Sequence, residues 1–236
     1  MKTILHKAET RGHANHGWLN TYHTFSFANY YNPERIHFGM LRVLNDDYIE
    51  AGEGFGMHPH DNMEIITIPL LGNVEHKDSM GNSGIITTGE IQVMSAGTGV
   101  FHSEFNPNRD KPTQLLQIWV FPNKKNVNPR YDQISLSSIE KKNELYQILS
   151  PNVDDQGVWI HQNAWFSLGN FDHEKTVIYP THRPESGVYL FVIEGNANVS
   201  GTELGRRDGL GVSNTTEIPV KVEKGTKLLI MEVPMV

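Results

Sequence analysis

Short apolar runs recur along the chain, and nearly every one is closed by Gly, Asn, Asp or Pro: FGMLRVL (38–44), MEIITIPLL (63–71), SGIITTG (83–89), EIQVMSAG (90–97) and QLLQIWVF (114–121). Runs of this length, rich in Ile, Val, Thr and aromatic residues, belong to strands of a sandwich or barrel. Between about residues 122 and 150 the texture changes. A Pro- and Asn-rich connection, FPNKKNVNPRYDQ, leads into SLSSIEKKNELYQIL, where Ser137 or Ser138 is placed to cap a short helix carrying Ile139, Leu145 and Ile148. Strand-like runs then resume, through GVYLFVIEGNANVSG to TKLLIMEVPMV. The pattern predicts an all-β chain in two halves with short helical connections, divided as 1–132 and 133–236. IITIPLLGNVEH and YLFVIEGNANVSG each set an apolar strand before a Gly and a second strand after it, so the halves repeat one architecture at low identity.

A length of 236 residues fits one bilobed unit or two domains, either of which can bury a core. Cysteine is absent, which removes disulfides, thiolate nucleophiles and iron–sulfur clusters and leaves His, Asp and Glu as the only metal ligands. The net charge of −7 argues against direct nucleic-acid binding, and pairs such as Lys124–Lys125 and Lys141–Lys142 read as solvated surface. The opening MKTILHKAETRGH is too short an apolar patch for a signal peptide or a membrane span, so a cytoplasmic protein is expected. GEGFG and GTG precede no helix that could cradle a phosphate, and no serine sits in a nucleophile elbow.

Candidate chemistry begins at GMHPHDNMEI (56–65). On a strand, residues i and i+2 share a face, so His58 and His60 can aim two imidazoles at one point. An H-x-H triplet alone is weak evidence, because exposed or hydrogen-bonded histidines are common. His102 and Glu104 repeat the spacing in AGTGVFHSEFN (96–106), and two such pairs on neighbouring strands make an N3O set suited to Fe(II), Mn, Ni, Cu or Zn, with coordination positions left open. His13 and His16 in GHANHGW read as a turn, His182 as a lone surface histidine, and His76 in VEHKDSMGN as a hydrogen-bonded histidine fixing a hairpin. The four tryptophans read as core or interface filler.

Gly52, His58, His60 and Glu64 resemble the first motif of the cupin superfamily, with Gly72 one position late. The second motif is met less closely: Gly89 and Gly97 fit, Ser95 replaces the usual Pro, and His102 comes late. HTFSFANYYNP (23–33), LRVLNDD (41–47), GEGFGMHPHDNMEI (52–65), VEHKDSMGNSG (74–84), MSAGTGVFHSEFN (94–106) and LLQIWVFP (115–122) together resemble the pirin branch, over most of residues 11 to 131.

The resemblance implies a bicupin, two β-barrel (double-stranded β-helix) domains packed face to face. A metal-binding domain would span 1–132, and a degenerate domain lacking the motif would span 133–236. Carried over by motif, the ligands are His58, His60, His102 and Glu104. Glu64, a ligand in many other cupins, is left as an acceptor orienting an imidazole, and His76 supports the site region. Fe(II) is the expected ion, with Zn, Mn, Ni, Cu or Co as others the set would take. Some members of the family open flavonols with O2 as quercetin 2,3-dioxygenases, releasing carbon monoxide. The resemblance therefore implies a small aromatic substrate and O2 as partners, with Glu104 taking the substrate's hydroxyl proton. Mammalian members are described as iron-dependent transcriptional cofactors, which implies the alternative of a metal- or redox-sensing protein acting through protein contact. Two barrels within one chain make a monomer the expectation.

Overall fold

The computed structural model describes residues 1–236 as twenty-two strands with two single 3-10 turns, Ala8–Thr10 and Leu136–Ser138. The strands form two seven-stranded and two four-stranded sheets. In the first lobe a seven-stranded sheet, from Gly12–Asn15 at one edge to Arg130–Ser135 at the other, packs with a four-stranded sheet. That smaller sheet is ordered Gly54–His60, Val100–Phe105, Asn73–Asp78, Ser83–Thr87. The second lobe repeats the arrangement, and the chain's first strand, Lys2–His6, pairs antiparallel with Gly209–Ser213 at its edge.

Parity along the strands explains why some are apolar throughout. In Ser186–Glu194, Val188, Leu190 and Val192 point into the second barrel, while Tyr189, Phe191 and Ile193 point at the first lobe. A strand buried on both faces reads as a continuous apolar run. By contrast Glu217–Val222 alternates strictly between exposed and buried positions, as a strand with one wet face must.

Three interiors result, and they differ in kind. Between the lobes lies an apolar cluster of 25 buried residues drawn from both, including Leu44, Ile66, Leu116, Tyr189 and Met231. The second barrel is filled by a continuous cluster of 15. The first barrel holds two separate small clusters, of five and four residues. Polar side chains run between them, and that band is where the candidate chemistry lies.

Arg130 joins the lobes: its guanidinium lies 3.9 Å over the Trp159 ring and donates to the Trp159 carbonyl at 2.6 Å. Nearby the Asn123 N–H donates to the His161 carbonyl and Gln162 Nε2 to the Phe121 carbonyl, both at 2.7 Å.

The expected helix over the connection does not form. Ser135, not Ser137 or Ser138, caps a single 3-10 turn by accepting from the Ser137 N–H. Asn143 then takes a left-handed φ of 60°, and Leu145–Ser150 is a strand paired with Trp165–Asn170. Tyr146 and Ile148 are buried two apart, the strand period, which places them with neither Ile139 nor Leu145 on a helical stripe. The repeat expected between the halves is present. Glu64–Leu71 turns at Gly72 (φ 75°) into Asn73–Asp78, and Ser186–Glu194 turns at Gly195 (φ 79°) toward Ala197–Val199. No helix is long and apolar enough to cross a membrane.

Candidate metal centre

Gly54–His60 and Val100–Phe105 pair antiparallel, with His102 opposite His58 and Val100 opposite His60. The i, i+2 spacing on one strand and the cross-strand pair on the other bring three imidazoles into a triangle. Ring centroids are 4.9 Å apart for His58–His60, 4.4 Å for His58–His102 and 4.8 Å for His60–His102. Their ligand atoms lie within 4.8 Å of one another. His58 Nδ1 donates to the Gly56 carbonyl at 2.8 Å, which fixes the tautomer and leaves Nε2 with its lone pair. His60 Nε2 and both nitrogens of His102 are buried without a protein partner.

Burial lowers the His60 pKa to about 4, with His58 adding to the effect, and burial holds His102 further below the imidazole range, with His58, His60 and His76 contributing. Both rings are therefore neutral at neutral pH, the form that binds a metal. Buried, unpartnered imidazole nitrogens are costly unless something supplies their missing partner. These residues fit a divalent transition ion.

Glu104 follows His102 after a register shift in the strand pair, so it stands opposite Phe55 on one side and His76 on the other. One of its carboxylate oxygens groups with His76 and His102, a set that shares only His102 with the His58–His60–His102 triangle. Gln117 Nε2 donates to Glu104 Oε2 at 2.8 Å, while Thr67 Oγ1 lies 3.1 Å from Glu104 Oε1 and 2.9 Å from Gln117 Oε1. Thr67 has one hydroxyl proton for two acceptors. Burial raises the Glu104 pKa, opposed chiefly by His76 and His58.

His76 is fully buried, with Nε2 3.2 Å from Asp78 Oδ2. Asp78 also accepts from the Met80 and Asn82 N–H groups, so the hairpin turn and the ring are fixed together. Glu64 makes no hydrogen bond to an imidazole. Asn62, with φ 43°, breaks the strand after His60, and Glu64 falls on the face carrying Ile66 and Ile68 toward the second lobe. Its Oε2 accepts from Ser95 Oγ at 2.7 Å, and burial pushes its carboxyl up to about 7, opposed by Ser95, the His161 N–H and Arg130.

His182 is exposed, as expected, and stacks on Trp165 at 4.5 Å, with Nδ1 2.8 Å from the buried Glu232. His13 stacks on Tyr22 and bonds to Asn20, and His16 sits at a turn.

His58, His60 and Glu104 open on a cavity of about 400 Å³, walled by two edge-to-face aromatic pairs, Trp18 with Phe55 and Phe27 with Trp119. Trp18 and Trp119 thus line the cavity, a role the sequence did not disclose. The ladder of the seven-stranded sheet places Gly12, His23, Asn45, Gln117, Thr67, Gln92 and Gln133 in one row, each opposite the next. This row splits the apolar interior of the barrel. Its signal in the sequence is an isolated polar residue at the inward parity of an apolar strand, as in LLQIWV or IITIP, and it gains meaning only once the register is known.

The sequence profile of the Pirin family matches residues 5–120, and that of the quercetinase C-terminal cupin domain matches residues 147–233. The chain is 41% identical over 232 residues to the quercetin 2,3-dioxygenase of Escherichia coli strain K12, covering 98% of this chain and 99% of that one. The crystal structure of YhhW from Escherichia coli matches at TM-score 0.95 and 40% identity, covering 100% of this chain and 99% of that one. A structure of the same bacterial pirin in complex with nickel(II) matches at TM-score 0.94 and 40% identity, with full coverage of both chains. With two cupin barrels face to face, this chain belongs to the pirin family.

Proposed function

We propose that the protein is a metal-dependent dioxygenase of flavonol-like aromatic compounds, with His58, His60, His102 and Glu104 as the metal ligands. One observation carries the reading: three imidazoles converge, those of His60 and His102 with buried nitrogens that lack a protein partner, beside an aromatic-walled cavity of about 400 Å³ lined by His58, His60 and Glu104. The names of the relatives support the same chemistry. A divalent ion held there, Fe(II) on this reading, would supply Lewis acidity toward a substrate oxygen and electrons for O2 chemistry.

The chain's own residues do the rest. The faces and edges of Trp18, Phe55, Phe27 and Trp119 orient a planar ring system and exclude water. Glu104 Oε1 is the atom that holds the substrate's hydroxyl proton. When Glu104 is ionised, Thr67 faces two acceptors with one proton; a proton on Oε1 lets Glu104 donate to Thr67 and Thr67 donate to Gln117. Once Glu104 has taken the proton, every acceptor in the network is satisfied, and burial raises its pKa in the direction that helps it do so. The net reaction is a flavonol and O2 giving a ring-opened phenolic ester and carbon monoxide.

A second reading, a metal-sensing protein that acts through a protein partner, draws on Met57 and Phe101. They are 58% and 52% exposed on the outward face of the two ligand strands, directly behind the imidazoles. Anaerobic loading with Fe(II), then oxygen uptake with quercetin against a His58→Ala control, separates the two. Uptake above the control supports the dioxygenase. Stoichiometric metal with no uptake on any of several flavonols overturns it in favour of the second reading.

A further inference from the structure

The cavity beside the imidazoles continues into an outer chamber of about 490 Å³, and the two share Trp18, Phe27, Asn45, Asp47 and Phe55. Thr21 and His23 line only the outer part. Asp47 stands opposite Thr21, and His23 opposite Asn45, in the pairing of adjacent strands. Thr21 Oγ1 donates to Asp47 Oδ1, and His23 Nδ1 donates to Asn45 Oδ1 at 2.9 Å, which leaves His23 Nε2 an acceptor.

Asp47 is unlike the other buried acids of the chain. Its neighbour Asp46 meets Arg11 at 3.3 Å and Arg207 at 3.1 Å, on the opposite face of the strand. Glu104 has a hydrogen-bond partner at both oxygens, and Glu64 and Glu232 also have fixed donors. Asp47 is 4% exposed, forms no ion pair, lines both chambers, and accepts only from Thr21, so its second oxygen has no protein donor. A carboxyl buried in this way is retained at a cost unless a ligand supplies the missing donor. Burial, with Asp46 and Glu104 adding, pushes its carboxyl up to about 7.

We infer that Asp47, backed by Thr21 and His23, is a specificity-determining subsite that accepts a hydrogen bond from a phenolic hydroxyl on the part of the substrate remote from the imidazoles. This rests on the proposed aromatic substrate and adds to it a polarity at each end: the reacting hydroxyl toward the histidines and a hydroxylated ring toward Asp47. An aromatic wall alone accepts any planar ring of the right size. A buried acceptor that must be satisfied selects rings bearing a donor, because leaving it unpaired penalises the analogue that lacks one.

The test compares kaempferol with galangin, two flavonols that differ by one hydroxyl on the remote ring. Each is titrated calorimetrically, without oxygen, into nickel-loaded wild-type protein, Asp47→Leu and Asp47→Asn, with bound nickel measured in each. The wild type binds kaempferol about tenfold more tightly than galangin, the size expected for one hydrogen bond to a carboxylate. In Asp47→Leu the ratio falls to within about twofold of unity, and Asp47→Asn, which keeps the volume and an acceptor, lies between and serves alone if the leucine variant does not fold. A ratio unchanged in the variants, or a wild type that does not discriminate, overturns the inference while leaving the flavonol reading in place. If neither flavonol binds the wild type, the flavonol reading fails first and this one with it.

Discussion

At Glu104 two acceptors compete for one hydroxyl proton, and that small arithmetic decides much of the site. Thr67→Val removes the shared donor and leaves Glu104 Oε1 and Gln117 Oε1 both unsatisfied. Metal affinity should fall about 10- to 100-fold, as is usual when an outer partner of a metal ligand is lost, measured by competition with a chelator. His58→Ala, His60→Ala and His102→Ala should lose bound metal altogether, whereas Glu64→Gln should keep it. A second expectation concerns the imidazoles of the metal-free protein. His60 and His102 are held below the ordinary range by burial, so their nitrogen resonances should report neutral rings down to about pH 5. Protonation of His102 near its ordinary value would contradict the dry environment assigned to it. That His58, His60 and His102 come together was legible in the sequence because i, i+2 spacing needs no knowledge of register. Glu64 misled for the same reason: its even separation from His60 counts only on an unbroken strand, and Asn62 breaks it.

The elements that carry the ligands depend on how closely their backbones approach. A Cβ added at Gly54 would collide with the Glu104 carbonyl oxygen and the Phe105 Cα. Gly54→Ala should therefore part the two ligand strands at the Glu104 end and weaken metal binding more than it lowers the melting temperature of the apo-protein. Equal metal affinity in this variant would show that the strand pairing does not set the site. The strands themselves were mostly visible as apolar runs between turn residues. The 135–150 segment was not, because SLSS offers a helix cap and Leu145 and Ile148 stand three apart, a helical spacing. What decided it was the left-handed Asn143 and pairing with Trp165–Asn170, contacts far away in sequence. The polar row of Thr67, Gln117 and Asn45 was hidden for a related reason, since only the sheet order aligns residues so distant along the chain.

Across the whole molecule, the largest apolar cluster lies between the lobes rather than within either. Thermal unfolding should be a single transition, and Leu116→Ala in this shared core should cost about 2–5 kcal/mol by denaturant titration. Glu64 couples this interface to pH. Its carboxyl titrates near 4.5 when unfolded and near about 7 when folded, so the folded protein binds more protons between those values. The stability this gives in acid is lost as pH rises through about 7. The melting temperature of the wild type minus that of Glu64→Gln should therefore decline from about pH 4.5 to about pH 7.5; a constant difference would contradict the burial assigned to Glu64. The contrast between a second barrel filled by one apolar cluster and a first barrel divided by a polar band is the whole-molecule basis for placing the chemistry in one lobe. That chemistry is tested most directly by turnover of quercetin under ¹⁸O2 with the Fe(II)-loaded protein, followed by mass spectrometry of the product and detection of carbon monoxide. Both atoms of one O2 molecule should appear in the ring-opened product with carbon monoxide released; a product carrying one labelled atom or none would contradict a dioxygenase.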